Sequence, residues 1–126
     1  MILIADDEPL IVKILAAALR AKGHEVATAK DGAEALEAVR KSKPDLVISD
    51  VSMPGLDGFE LARAIHNEQL ETKCILMSGG TDFDDVRIRD QTESLVLTAA
   101  FKKPFSVADF FAAIDRAMEE PAALSR

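Results

Sequence analysis

Cysteine is almost missing from this chain. Cys74 stands alone inside the apolar run Cys74-Ile75-Leu76-Met77, so it has no disulfide partner and reads as a small buried hydrophobe in a reducing compartment. Basic runs are missing too: Lys and Arg never exceed pairs such as Arg40-Lys41 and Lys102-Lys103, and the formal net charge is −7. An acidic surface opposes the phosphate neutralisation that dominates nucleic-acid affinity, which argues against DNA binding by this chain alone. No stretch has the length and apolarity of a membrane span. The apolar start, Met1 to Ala5, runs straight into Asp6-Asp7-Glu8 with no basic region before it, so it reads as a buried strand of a cytoplasmic protein and not as a signal peptide. Repeats, low-complexity tracts and linkers are also absent.

What remains is ordinary globular material. With 48% hydrophobic and 29% charged residues the chain lies outside the regime of disorder, and 126 residues suit one compact domain hiding about two-thirds of its unfolded surface. The domain is placed at residues 1–120, with a short tail at 121–126 and no output domain.

Short apolar runs alternate with segments of helical period, the pattern of an α/β fold with repeated βα units around a parallel sheet. Strands are expected at Ile2 to Ala5, around Glu25 to Ala29, at Leu46 to Asp50, at Cys74 to Ser78 and somewhere within Leu95 to Phe101. The first helix opens at Pro9, presents Leu10, Ile11, Ile14, Leu15, Ala18 and Leu19 at three- and four-residue spacing, and closes at Lys22-Gly23. Asp31, with Glu34 three residues on, caps the second; Pro44 ends that segment. The turn-rich Met53 to Gly58 leads into a third helix through Phe59, Leu61, Ala62 and Ile65. Thr81 or Asp82 opens a fourth with a thin stripe of Phe83, Val86 and Ile88, and Ser106 caps a last one bearing Val107, Phe110, Phe111, Ile114 and Met118. Two adjacent phenylalanines cannot both point fully inward, which leaves one of Phe110 and Phe111 for a partner surface.

In a parallel sheet all C-terminal strand tips lie on one edge, where such folds build their sites. The tip residues here are Asp6 and Asp7, Asp50, Ser78 and Lys103. Three close carboxylates repel unless a proton or a cation joins them. Mg²⁺ is the hard, oxygen-seeking ion that suits such a site, and no nearby His or Cys cluster points to zinc. An aspartate beside such a metal can attack phosphorus and become an aspartyl phosphate. Lys103 then offers a charge, and Ser78 a hydroxyl, to the phosphoryl oxygens. Asp57-Gly58 reads as a turn and helix cap without chemistry, and neither His24 nor His66 reads as a phosphodonor.

Four pieces in order, Ile4-Ala5-Asp6-Asp7-Glu8-Pro9, Asp50-Val51-Ser52-Met53-Pro54-Gly55-Leu56-Asp57-Gly58-Phe59-Glu60-Leu61, Met77-Ser78-Gly79 and Lys102-Lys103-Pro104-Phe105, span nearly the whole chain. Together they make the sequence resemble the receiver domains of two-component response regulators. The resemblance implies a doubly wound (βα)5 flavodoxin-like fold, with a five-stranded parallel sheet of order 2-1-3-4-5 and helices on both faces. It implies Asp50 as phosphoacceptor, Asp7 as a direct Mg²⁺ ligand, Asp6 acting mainly through a metal-bound water, and the backbone carbonyl of Ser52 as a further ligand. Ser78 and Lys103 would bind the phosphoryl group, and the Lys103-Pro104 bond would be cis. Two features depart from the family pattern: the switch position three residues before the lysine is Ala100 instead of an aromatic, and the glycine-alanine turn usual before the fifth strand is missing from a somewhat lengthened segment. Phe101, next to Ala100, points to the opposite face of the strand.

The expected function is a cytoplasmic phosphorylation switch. It takes a phosphoryl group from a sensor histidine kinase or histidine phosphotransfer protein and signals to a target protein through the face of the fourth helix, fifth strand and fifth helix. It catalyses only its own phosphorylation and dephosphorylation. A phosphorylation-independent interaction module, favoured by Ala100, and a phosphate sink or relay are the alternatives. A phosphatase would want an acid two residues after Asp50, where Ser52 stands. Small residues at Ser52 and Gly80 imply an intermediate phosphate lifetime.

Overall fold

The computed structural model describes residues 1–78, 99–102 and 107–119. In chain order these form β1 (Ile2–Ala5), α1 (Pro9–Ala21), β2 (Val26–Ala29), α2 (Gly32–Ser42), β3 (Leu46–Asp50), α3 (Gly58–Asn67), β4 (Lys73–Ser78), β5 (Ala99–Lys102) and a C-terminal helix (Val107–Glu119). The sheet is five-stranded with order β2-β1-β3-β4-β5, and every neighbouring pair is parallel. That is the expected doubly wound α/β architecture. No described helix is long and apolar enough to cross a membrane.

β1 and β3 are buried along their whole length, which is why they read as continuous apolar runs with no alternation. Successive side chains still leave opposite faces and feed two cores. Leu3, Ala5, Val47, Cys74 and Leu76 pack with α2 and α3 through Ala35, Val39, Leu61 and Ile65. Ile2, Ile4, Leu46, Ile48, Ile75 and Met77 pack with α1 and the C-terminal helix through Leu19, Phe110 and Ile114. Burial pushes the Cys74 thiol up to about 12, so it stays protonated and inert, as its surroundings in the sequence suggest.

Local signals set the helix ends. Asp31 accepts a hydrogen bond from the Glu34 amide at 2.8 Å. Asp57 and Glu60 form a reciprocal capping box, at 2.8 and 3.1 Å. Gly23, at φ +95°, turns the chain out of α1 in a conformation that favours glycine. Strand limits differ slightly from expectation: β4 starts at Lys73 and β5 runs from Ala99 to Lys102, one residue past Phe101. The fourth helix expected from Thr81 or Asp82, the Ser106 cap, the Lys103-Pro104 bond and the 121–126 tail lie outside the described residues.

The inward face of α1 is a correction. Leu10 and Ile14 are 67% and 56% exposed, while Ala16 and Leu19 are buried and Val12 and Leu15 pack against the core. At 3.6 residues per turn, Leu10 and Ile14 lie on the side of the helix opposite that row. α1 is apolar around most of its circumference, so its period shows a helix without choosing a side. The adjacent phenylalanines divide as expected. Phe110 is buried; Phe111 is half-buried, edge-on to it at 5.8 Å between ring centroids, with Lys22 Nζ 4.9 Å from its own centroid.

Phe110→Ala should lower unfolding free energy by about 3–5 kcal/mol, the usual cost of emptying a packed aromatic site, and Phe111→Ala by clearly less. Chemical denaturation followed by circular dichroism measures both, and equal losses would contradict this packing.

Candidate functional site

Three of the tip residues meet at the C-terminal edge of the sheet. β1 ends at Ala5 and β3 carries Asp50 as its last residue; Ala5 pairs with Ser49, so Asp6 emerges beside Asp50. One carboxylate oxygen from each of Asp6, Asp7 and Asp50 lies within 4.8 Å of the others. Asp6 and Asp50 are buried, and Asp7 is exposed.

Backbone hydrogen bonds fix the segments that carry them. The Asp6 amide donates to the Ala29 carbonyl at 3.2 Å, tying the end of β1 to the end of β2. Asp6 Oδ1 accepts from the Glu8 amide at 2.9 Å and turns the chain into α1. Beyond Asp50, the Val51 amide donates to Met77 O and the Gly58 amide donates to Val51 O, each at 2.8 Å, so the β3–α3 loop is pinned at both ends. Within that loop Ser52 is exposed between the buried side chains of Val51 and Met53, which anchor its backbone.

Like charges this close are costly. At an effective dielectric constant of about 20, two carboxylates 5 Å apart repel by about 3 kcal/mol. A divalent cation removes that penalty. The donor set is all oxygen, it is the only such group of three among the described residues, and it contains neither His nor Cys. That chemistry fits Mg²⁺, which takes a few carboxylates and completes its octahedron with carbonyl, water or phosphate oxygens.

Ser78 is the last residue of β4, in register with Lys102 and one position beyond Met77, the partner of Asp50. Lys103 lies outside the described residues, next after the end of β5. Ala100 sits within β5 in register with Leu76. Asp57 is a helix cap, as read. Gly58 does more than that reading assigned: a Cβ there would stand 2.5 Å from Asp50 O and 2.8 Å from Val51 Cα, so its lack of a side chain lets α3 start against the backbone of Asp50. Nothing in the local sequence separates that close approach from an ordinary turn glycine. Lys73 was likewise unread; it is buried, and its Nζ donates to the Ala117 carbonyl at 2.8 Å, holding the end of the C-terminal helix to the start of β4.

A family model described as "Response regulator receiver domain" matches residues 2–115. Among curated proteins, the chain is 39% identical over 118 residues to the transcriptional regulatory protein PdtaR of Mycobacterium tuberculosis, covering 93% of this chain and 56% of that protein. It is 32% identical to the DNA-binding response regulator MtrA of Mycolicibacterium smegmatis, covering 96% of this chain and 53% of that one. The chain thus spans about half the length of these relatives. Among solved structures, a response regulator receiver domain protein from Clostridium thermocellum aligns with a TM-score of 0.80 at 30% identity, covering 93% of this chain and 92% of that one. The response regulator TrrA from Thermotoga maritima, in complex with Mg²⁺-BeF, aligns with a TM-score of 0.79 at 29% identity, covering 92% and 96%.

Asp7→Asn removes one of three repelling charges and one donor oxygen. Without divalent ions the variant should melt higher than wild type, and Mg²⁺ should raise its melting temperature less. Thermal scans with chelator and with millimolar Mg²⁺ test both signs; an unchanged Mg²⁺ response would remove Asp7 from the ion's coordination.

Proposed function

The chain belongs to the response regulator receiver domain family, and from that premise we propose that it is a cytoplasmic, phosphorylation-dependent signalling switch with Asp50 as its phosphoacceptor. The observation that carries this reading is the meeting of Asp6, Asp7 and Asp50 at the tip of the central strand. The donor is a phosphohistidine on a sensor histidine kinase or a histidine phosphotransfer protein. A carboxylate oxygen of Asp50 attacks phosphorus in line, the O–P bond of an aspartyl phosphate forms, the P–N bond breaks, and the imidazole leaves with a proton. Asp7, Asp50 and the Ser52 carbonyl would hold Mg²⁺, with Asp6 acting through a water, and the ion would supply counter-charge for the group being transferred. Ser78 donates a hydrogen bond to one phosphoryl oxygen and Lys103 pairs with another. The chain changes only itself in this scheme and turns over no external substrate. Phosphorylation shifts the population of conformers at β5 and the C-terminal helix, where a target protein reads the state.

The donor protein must present its histidine over the acidic edge, where α1 begins two residues after Asp7. Leu10 and Ile14, exposed in the first two turns of α1, offer such a donor an apolar contact. The competing reading, an interaction module indifferent to phosphate, rests on Ala100 in place of a switch aromatic. A phosphate mimic separates the two: amide shifts reaching the C-terminal helix support the switch, and shifts confined to the Asp50 pocket support the module.

With Mg²⁺ and a small-molecule phosphodonor, the protein should gain one acid-labile phosphoryl group that Asp50→Ala does not gain; equal labelling of the variant would sink the acceptor assignment. Ile14→Glu should slow transfer from a protein donor about tenfold, a loss of about 1.4 kcal/mol of contact, and leave labelling by the small donor unchanged. Equal slowing with both donors would show damage to the pocket and not to the docking face.

A further inference from the structure

The loop between β3 and α3 is pressed from the side by the start of α2. Gly32 is the first residue of α2, directly after its cap Asp31, and it is buried. A Cβ built on it would lie 2.0 Å from the carbonyl oxygen of Leu56, 2.8 Å from that carbonyl carbon and 2.9 Å from Leu56 Cβ. The nearest two of these are backbone atoms, so no side-chain rotation relieves the overlap. Either the loop or the helix must move by more than 1 Å to reach ordinary contact.

Leu56 is four residues from Ser52, in a loop already held at Val51 and Gly58 by two 2.8 Å backbone bonds. Its side chain packs against the core shared by Ala35, Val39 and Phe59. The end of β2 that feeds this helix holds the other half of the acidic site, because Ala29, three residues before Gly32, accepts the bond from the Asp6 amide. One short segment, 29–32, therefore touches both halves: Asp6 through Ala29, and the Ser52 loop through Gly32 and Leu56.

We propose that Gly32 is a positioning residue for the metal and phosphoryl site, setting the separation between the Asp6-Asp7 turn and the loop carrying the Ser52 carbonyl. The inference rests on the reading of Asp6, Asp7, Asp50 and Ser52 given above. Ligand sites tolerate displacements of about 0.5 Å, so a forced shift of the loop is felt at the ion even though Gly32 touches neither ion nor phosphate. Changes to groups that orient metal ligands typically cost about 10- to 100-fold in affinity.

The test measures Mg²⁺ affinity by calorimetry and the metal-free melting temperature for wild type, Gly32→Ala, Leu56→Ala and Gly23→Ala. Gly23, with positive φ and open space around it, reports backbone strain remote from the site. Gly32→Ala should bind Mg²⁺ about tenfold more weakly or worse. Gly23→Ala should melt lower yet bind as wild type does. Leu56→Ala, which keeps the carbonyl but unseats the loop, should also weaken binding, and it decides the matter if Gly32→Ala does not fold. A folded Gly32→Ala with wild-type affinity, or Leu56→Ala with wild-type affinity where Gly32→Ala does not fold, overturns the inference alone. Wild type that binds no Mg²⁺ overturns the reading of the site, and the inference with it.

Discussion

The parallel register of β1 against β3 is the constraint on which the rest depends. Ala5 opposite Ser49 brings Asp6 out beside Asp50. A slip of one residue would send every side chain of β1 to the opposite layer, exchanging Ile2 and Ile4 for Leu3 and Ala5 between the two cores. Both layers are closed by helices, so neither accepts that exchange, and the register is held from both sides at once. The apolar interior thus fixes where charge collects. Three carboxylates that repel one another stay together because the strands carrying them cannot separate without opening both cores.

Such an arrangement stores unfavourable electrostatic energy at one edge of an otherwise well-packed molecule. A divalent cation bound there would relieve that repulsion. The strands fix the edge, and the backbone bonds of Asp6 to Ala29, Val51 to Met77 and Gly58 to Val51 fix the loops around it. The C-terminal helix is anchored at its far end by Lys73 on Ala117 and along its length by Phe110 and Ile114. The C-terminal helix is thus tied to the same sheet that carries the acidic edge.

Legibility in the sequence followed the range of the forces. Helix caps at Asp31 and Asp57 were readable because a cap involves residues three apart. β1 and β3 were readable because burial on both faces leaves an unbroken apolar run. The inward face of α1 was not: Leu10 and Ile14 have the right period, but the opposite row fits the core formed by Ile2, Ile4 and Phe110. Lys73 could not be read as a buried donor, since its acceptor lies 44 residues later in the chain.

By itself the sequence determined the first four strands, the first three helices and the C-terminal helix among the described residues, and which acids stand at strand tips, since these follow from local periodicity, capping and the polarity of each residue. Only the tertiary structure decided that Asp6, Asp7 and Asp50 come within 4.8 Å, which side of α1 stays wet, and that Gly32 bears on Leu56. Those outcomes depend on the order and register of strands joined by crossovers. Contacts across such crossovers are set by how whole faces fit together, and no short stretch of sequence carries that information.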